Sequence, residues 1–174
     1  MDDGCGRWSR RGRGAGAALR VGEQWVLHGH GLCRIVDITS DGDGTWVQVE
    51  TPNRGRPTRF PMQDVATALR APLARPAAHA AWSALLEPGG PVDRRPQPER
   101  YGAYLGTLIK GGVEDQIRTL RSLYASPRPS AGVLRFISTF EDVLLPELAR
   151  ALERPLAELR AEARHGRPAF PDPH

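Results

Sequence analysis

The sequence predicts an α+β protein, with a small, strongly bent antiparallel β-barrel followed by an all-α helical module. Two observations carry that reading. Between residues 21 and 61, short runs of β-forming residues alternate with tight turn signals. From Pro61 onward the apolar residues fall at helical spacing, punctuated by proline and glycine.

The elements follow in order. Gln24–His28 is a short run containing apolar residues, and Gly31–Ile38 carries Leu32, Ile35, Val36 and Ile38. The pairs in Asp41-Gly42-Asp43-Gly44 tolerate positive φ and mark a turn. Thr45–Glu50 alternates, with Trp46, Gln48 and Glu50 on one face and Thr45, Val47 and Val49 on the other. Pro52-Asn53-Arg54-Gly55 is a second turn, before a short strand at Thr58–Phe60. Helical spacing then covers Met62–Arg70 and Ala77–Glu87, separated by Pro72 and Pro76. Residues 88–98 form a linker rich in Pro and Gly. Further helices are expected over Glu99–Ile109, over Val113–Ala125, from an N-cap at Ser130, and over Leu156–Arg164. Pro146 is expected to end or kink the third of these, because proline lacks an amide donor. The division is an Arg/Gly-rich disordered arm at 1–20, a β module at 21–66, a helical domain at 67–166 and a tail at 167–174. Translation starting near Val21 is the alternative reading of the arm.

Composition narrows the function. The 174 residues accommodate one medium domain or two small ones. Cys5 and Cys33 cannot make a disulfide framework, which suits a reduced intracellular compartment. No apolar run reaches the length of a membrane span, and the charged start does not read as a secretory signal. The net charge of +4 is concentrated in residues 1–20, where five Arg face two Asp. A nearly neutral remainder makes the basic total a weak argument for nucleic acid. Of 24 basic residues, only Lys110 is lysine.

Candidate chemical sites are sparse. His28, His30 and Cys33 offer metal donors at short spacing, but a structural zinc site closes with four ligands, and His79, His165 and His174 stand apart. A glycine-rich turn is the favoured reading, with no metal and no cofactor. There is no G-x-S-x-G and no phosphate-cradling loop, and the carboxylate pairs Glu114-Asp115 and Glu141-Asp142 sit at helix-surface spacing. An enzyme is therefore not expected. Arg94, Arg95 and Arg100, with Arg118 and Arg121 beyond, could meet phosphates through their guanidinium forks, though Asp93 and Glu99 dilute the group. Trp25, Trp46 and Trp82 read as packing aromatics.

Several stretches carry a resemblance. VGEQWVLHGHGLCRIVDI (21–38), WVQVE (46–50) and PTRFP (57–61) resemble the RNA polymerase-interacting domain of the CarD/CdnL family, a Tudor-like barrel shared with the transcription-repair coupling factor. RYGAYLGTLIKGGVEDQIRTLRSLY (100–124) and SAGVLRFISTFEDVLLPELARAL (130–152) are similar to that family's helical domain. The resemblance spans about 21–164. It implies a cytoplasmic, nucleoid-associated bacterial transcription regulator, monomeric and without enzymatic activity. Its barrel would dock on the RNA polymerase β subunit and its helical domain would touch promoter DNA, modulating open-complex stability. The polymerase contact maps to Thr58, Arg59, Phe60 and Pro61, with Val47 or Val49 on the neighbouring strand.

The DNA end maps to Gln97, Arg100 and Tyr101, with Arg94 and Arg95 supplementing from the loop. There the family carries a Trp wedge, a small polar residue, two Arg and a Tyr; this chain has Gln97, Pro98, Glu99, Arg100 and Tyr101, then Gly102 at the next basic position. Losing phosphate contacts weakens binding, so promoter DNA is expected as a weak partner. The hairpin between Ile38 and Trp46 is also shorter than the family's, and Pro146 falls in a helix that the family keeps continuous. A protein–protein adaptor with a non-polymerase partner is the alternative, and a metal-dependent enzyme at His28, His30 and Cys33 is a distant third.

Overall fold

The computed structural model of the chain describes residues 19–52, 56–88, 90 and 93–170. Residues 1–18 of the expected arm with Cys5 and Trp8, the tip of the turn at 53–55, linker residues 89, 91 and 92, and residues 171–174 with His174 lie outside those residues.

The architecture is α+β. Strands β1 (Gln24–Leu27), β2 (Gly31–Asp41), β3 (Gly44–Glu50), β4 (Thr58–Pro61) and β5 (Leu69–Arg70) form one sheet in the order β4-β3-β2-β1-β5. Every neighbouring pair is antiparallel. The helices are α1 (Val65–Ala68), α2 (Arg75–Leu86), α3 (Gln97–Lys110), α4 (Val113–Tyr124), α5 (Ala131–Leu152) and α6 (Leu156–Arg164). Among the described residues, no helix is long and apolar enough to cross a membrane.

Side-chain parity explains the sheet. Val47 and Val49 face the core beside Phe60 and Thr58, while Trp46 and Gln48 take the other face with Pro61 and Arg59. In β2, Cys33 and Ile35 point inward, and strict alternation would bring Asp37 in after them. A bulge between Ile35 and Asp37 adds one residue, so Ile38 joins the core side and Asp37 stays exposed. The β2–β3 turn closes over Gly42 and Asp43, with the Asp43 amide donating to Asp41 Oδ1 at 3.0 Å.

Two apolar clusters form. One, inside the sheet, gathers Leu27, Cys33, Ile35, Val47, Val49 and Leu69. The other is built by the helices around Trp82, Tyr124, Ile137, Phe140 and Leu148. Val26 and Leu27 are consecutive, hence on opposite faces, and both are buried; α5 packs against the neighbouring strand β2. The seam is tight. Gly31, at φ 80°, sits so close to α5 that a Cβ there would lie 2.7 Å from the Val143 carbonyl oxygen. Beside it, Glu147 of α5 accepts both ends of the Arg70 fork at 2.6 Å and the Leu73 amide at 2.7 Å.

Several expectations need correction. Met62–Arg70 is not one helix. A 3-10 turn at Met62–Asp64 and the single turn α1 lead into β5, which pairs with β1. Ala71 precedes Pro72 and is steered from helical geometry, and pairing with β1 satisfies the backbone there. The sheet therefore includes Leu69 and Arg70. Helix α5 starts at its Ser130 cap, with Val133 donating to Oγ at 3.3 Å, and passes through Pro146 without ending. The proline costs about 3 kcal/mol. Its neighbours Leu144, Leu145 and Leu148 are buried, each contributing about 1.5–3 kcal/mol. The expected tail is docked as far as Phe170: Arg167 donates to the Leu85 carbonyl at 2.7 Å, and the Ala169 amide to that of Tyr124 at 3.3 Å.

Candidate functional site

The sheet ends at β4, whose ladder joins it to β3 alone among the described residues. Thr58 and Phe60 take the inward face, opposite Val49 and Val47, and Phe60 packs on the sheet core. Arg59 and Pro61 stand on the outward face next to Gln48 and Trp46. Three strands meet in a polar cluster there. The Arg59 guanidinium lies over the Trp46 ring, 4.6 Å from its centroid. Its Nη2 donates to Asp41 Oδ2 at 3.1 Å, and the Trp46 indole N–H donates to Asp41 Oδ1 at 3.2 Å. The Asp43 amide, Trp46 and Arg59 together hold the Asp41 carboxyl below the usual aspartate range. A free strand edge beside a stacked cation can bind an extended segment through the backbone and one carboxylate through the arginine.

Of the six residues expected at this surface, four lie on the edge strand. Val47 and Val49 do not belong to it. Their side chains are 0% and 1% exposed, and β3 is flanked on both sides by β2 and β4. Trp46, expected to be packing, is instead the platform under Arg59. Sequence reasoning missed Asp41 and Trp46 as partners of Arg59. The signal was the two-residue turn, which returns the chain so that Trp46 lies beside Asp41.

The second candidate surface is the loop and first turn before α3. Arg94 and Gln97 are exposed there. The Arg95 fork closes on Asp93, with Nε at 3.0 Å from Oδ1 and Nη2 at 2.6 Å from Oδ2. That pairing lowers the Asp93 carboxyl and raises the Arg95 guanidinium. Burial, then the Asp93 charge, raises the Tyr104 phenol beside them. Arg100 is half-buried, donating to the Asp93 carbonyl at 3.3 Å. Tyr101 packs edge-on to Phe136 at 5.1 Å, with its hydroxyl 3.2 Å from Ser130 Oγ. Gly132 makes room for it, since a Cβ there would come within 2.1 Å of that hydroxyl. The five residues are thus neighbours in space, yet Tyr101 and Arg95 are engaged within the chain. Farther along, Arg118 pairs with Asp115 at 3.2 Å and Arg121 with Glu87 at 3.0 Å.

The remaining sequence candidates have other roles. The His28-Gly29-His30-Gly31 turn is wedged between modules, with Gly29 against Ile109 and Gly31 against Val143. Burial pushes the Cys33 thiol up to about 11, and burial with Arg70 nearby lowers His28. No group of three His, Cys, Asp or Glu gathers into a metal-holding cluster among the described residues. Glu114 and Asp115 lie in the first turn of α4, where carboxylates suit the helix dipole. Glu141 is not on a surface. It is 0% exposed and accepts from Tyr124 Oη at 2.9 Å and from Arg164 Nε at 2.8 Å.

In comparison with known proteins, no family model matches this chain and no curated protein is similar to it.

Proposed function

We propose that this chain is a bacterial transcription regulator that docks on the β subunit of RNA polymerase by adding a strand to β4. On this reading the five-stranded sheet is a Tudor-like barrel, and Arg59 receives a carboxylate from the polymerase lobe. The helical module then lies along promoter DNA at the opening bubble and modulates open-complex stability. Its DNA contact is weak, since Arg94 is the basic side chain of the loop least engaged within the chain.

The observation that carries the reading is the β4 edge, unpaired among the described residues, with Arg59 presented beside it. Strand addition supplies sequence-independent affinity through the backbone, and alternate side chains select the partner. Arg59→Glu converts a charge-assisted contact into repulsion, at a cost of about 2–4 kcal/mol, or roughly 30-fold or more in affinity. A pull-down with the isolated β lobe tests it. Retention of the wild-type chain and loss with Arg59→Glu are expected. No retention of the wild-type chain rejects polymerase as partner, and equal retention of the variant rejects β4 as the edge.

A further inference from the structure

We propose that the outward face of α3 is a self-association surface that takes a second copy of this chain. Among the described residues, Leu105 and Ile109 are two of the four exposed large hydrophobic side chains, at 50% and 48%. They are one turn apart on the same helix and so form a single stripe, whose C-terminal end at Ile109 abuts the Gly29 turn while staying half exposed. Gly102 and Gly106 share this face, and a Cβ on either would meet no atom within 4 Å. The notch over Gly106 opens into a shallow groove between α3 and α4, lined by Ala103, Thr107, Lys110, Thr119 and the Asp115–Arg118 ion pair.

The charges select the occupant. Glu99 lies in the first turn of α3 and Lys110 in the last, and neither makes an ion pair among the described residues. Helical spacing places both on the flank that carries Gly106. A twofold axis perpendicular to the helix between residues 105 and 106 runs the two α3 helices antiparallel. Ile109 of each copy then seats over Gly102 of the other. Leu105 meets its own copy on one flank, and Glu99 meets Lys110 of the second copy on the other, twice. Such a face is complementary to itself, as an isologous dimer requires. An interface of one helix pair buries less than about 1,200 Å², which makes the dimer weak and concentration-dependent rather than obligate. The monomer expected from sequence is then the dilute form.

Sedimentation of the full chain over a concentration series tests this independently of any polymerase contact. The weight-average mass should rise from monomer to dimer with concentration. Glu99→Lys alone and Lys110→Glu alone each set two like-charge pairs across the axis and should weaken dimerisation roughly tenfold. The double variant restores opposite charges and should recover wild-type affinity. Gly102→Leu, which the open space tolerates within one copy, should abolish the dimer with the circular dichroism spectrum unchanged. A monomer at every concentration overturns the proposal and leaves the face to a different protein. A double variant no tighter than the single variants overturns the antiparallel pairing.

Discussion

Arg59 and Arg95 expose nearly the same share of their side chains, 48% and 51%, and each pairs with an aspartate. Their carboxylates differ. Asp41 is itself 46% exposed and takes a single Arg59 donor at 3.1 Å, leaving the guanidinium spread over Trp46 at the open edge of the sheet. Asp93 is 11% exposed and takes two donors of the Arg95 fork together with the Arg95 amide. One arginine is oriented for an outside carboxylate, and the other has its fork filled from within the chain. Counting arginines therefore overstates the basic character of the loop before α3 and understates the readiness of the β4 edge. A surface is available for recognition to the extent that its donors are positioned without being satisfied.

Both surfaces keep a fixed relation only while the seam between sheet and α5 holds, and the largest effect is expected there. Glu147, 1% exposed, collects the Arg70 fork and the Leu73 amide. Glu147→Ala leaves the Leu73 amide without an acceptor and the Arg70 guanidinium with the Ala71 carbonyl alone, and should cost about 3–5 kcal/mol in urea unfolding. Arg70→Met combined with Glu147→Leu should recover much of that loss, because no charge is stranded. The Leu73 amide would still lack its acceptor, so recovery stays short of wild type by about 1–3 kcal/mol. Equal stability of the single and double variants would show that the ion pair does not hold the seam.

A smaller effect sharpens the comparison at the loop. Asp93→Asn keeps an acceptor for the Tyr104 and Arg95 hydrogen bonds but removes the charge that closes the fork. If Arg95 then turns to a phosphate, duplex DNA binding should tighten, and the log–log salt slope should steepen by about 0.9. Fluorescence anisotropy over a salt series measures both. An unchanged slope would mean that Arg95 faces away from DNA even when released.

How far these features were legible in the sequence depends on the range of the interaction that sets them. Alternation in Thr45–Glu50 separates Val47 and Val49 from Trp46 and Gln48, because strand parity is a property of adjacent residues. Which strand forms the edge is decided by pairings far apart in sequence. Val47 and Val49 are expected on the strand next to the edge, and β3 does lie one strand in from β4, with both side chains buried there. Strand β5 has two residues and no pattern of its own, so the break after α1 was hidden in a run of helical spacing. Glu141 reads as a surface acid until α6 folds back and brings Arg160 and Arg164 to it. Pro146 shows local propensity yielding to burial, since the leucines around it outweigh one missing donor. Ser130, by contrast, caps α5 where the sequence placed the cap, because capping is local.

The mildest perturbation concerns the hold on Arg59 itself. The Asp43 amide first, then Trp46 and Arg59, keep the Asp41 carboxyl below its ordinary value. A carboxyl depressed in the folded state favours folding above its unfolded value of about 3.9, and that contribution fades as pH falls through the lower, folded value. The cluster should therefore persist at neutral pH and release Arg59 only in acid. The Trp46 indole N–H resonance reports this directly, because it donates to the same carboxylate. Its shift should titrate below the ordinary aspartate range in the wild-type chain and stay flat in Asp41→Asn. In that variant, docking of Arg59 should weaken by no more than a few-fold, since the exposed pair orients the guanidinium without supplying the contact. A midpoint at or above the ordinary aspartate value would mean that Asp41 does not hold the cluster. The edge strand would then present Arg59 no more firmly than any unpaired surface arginine.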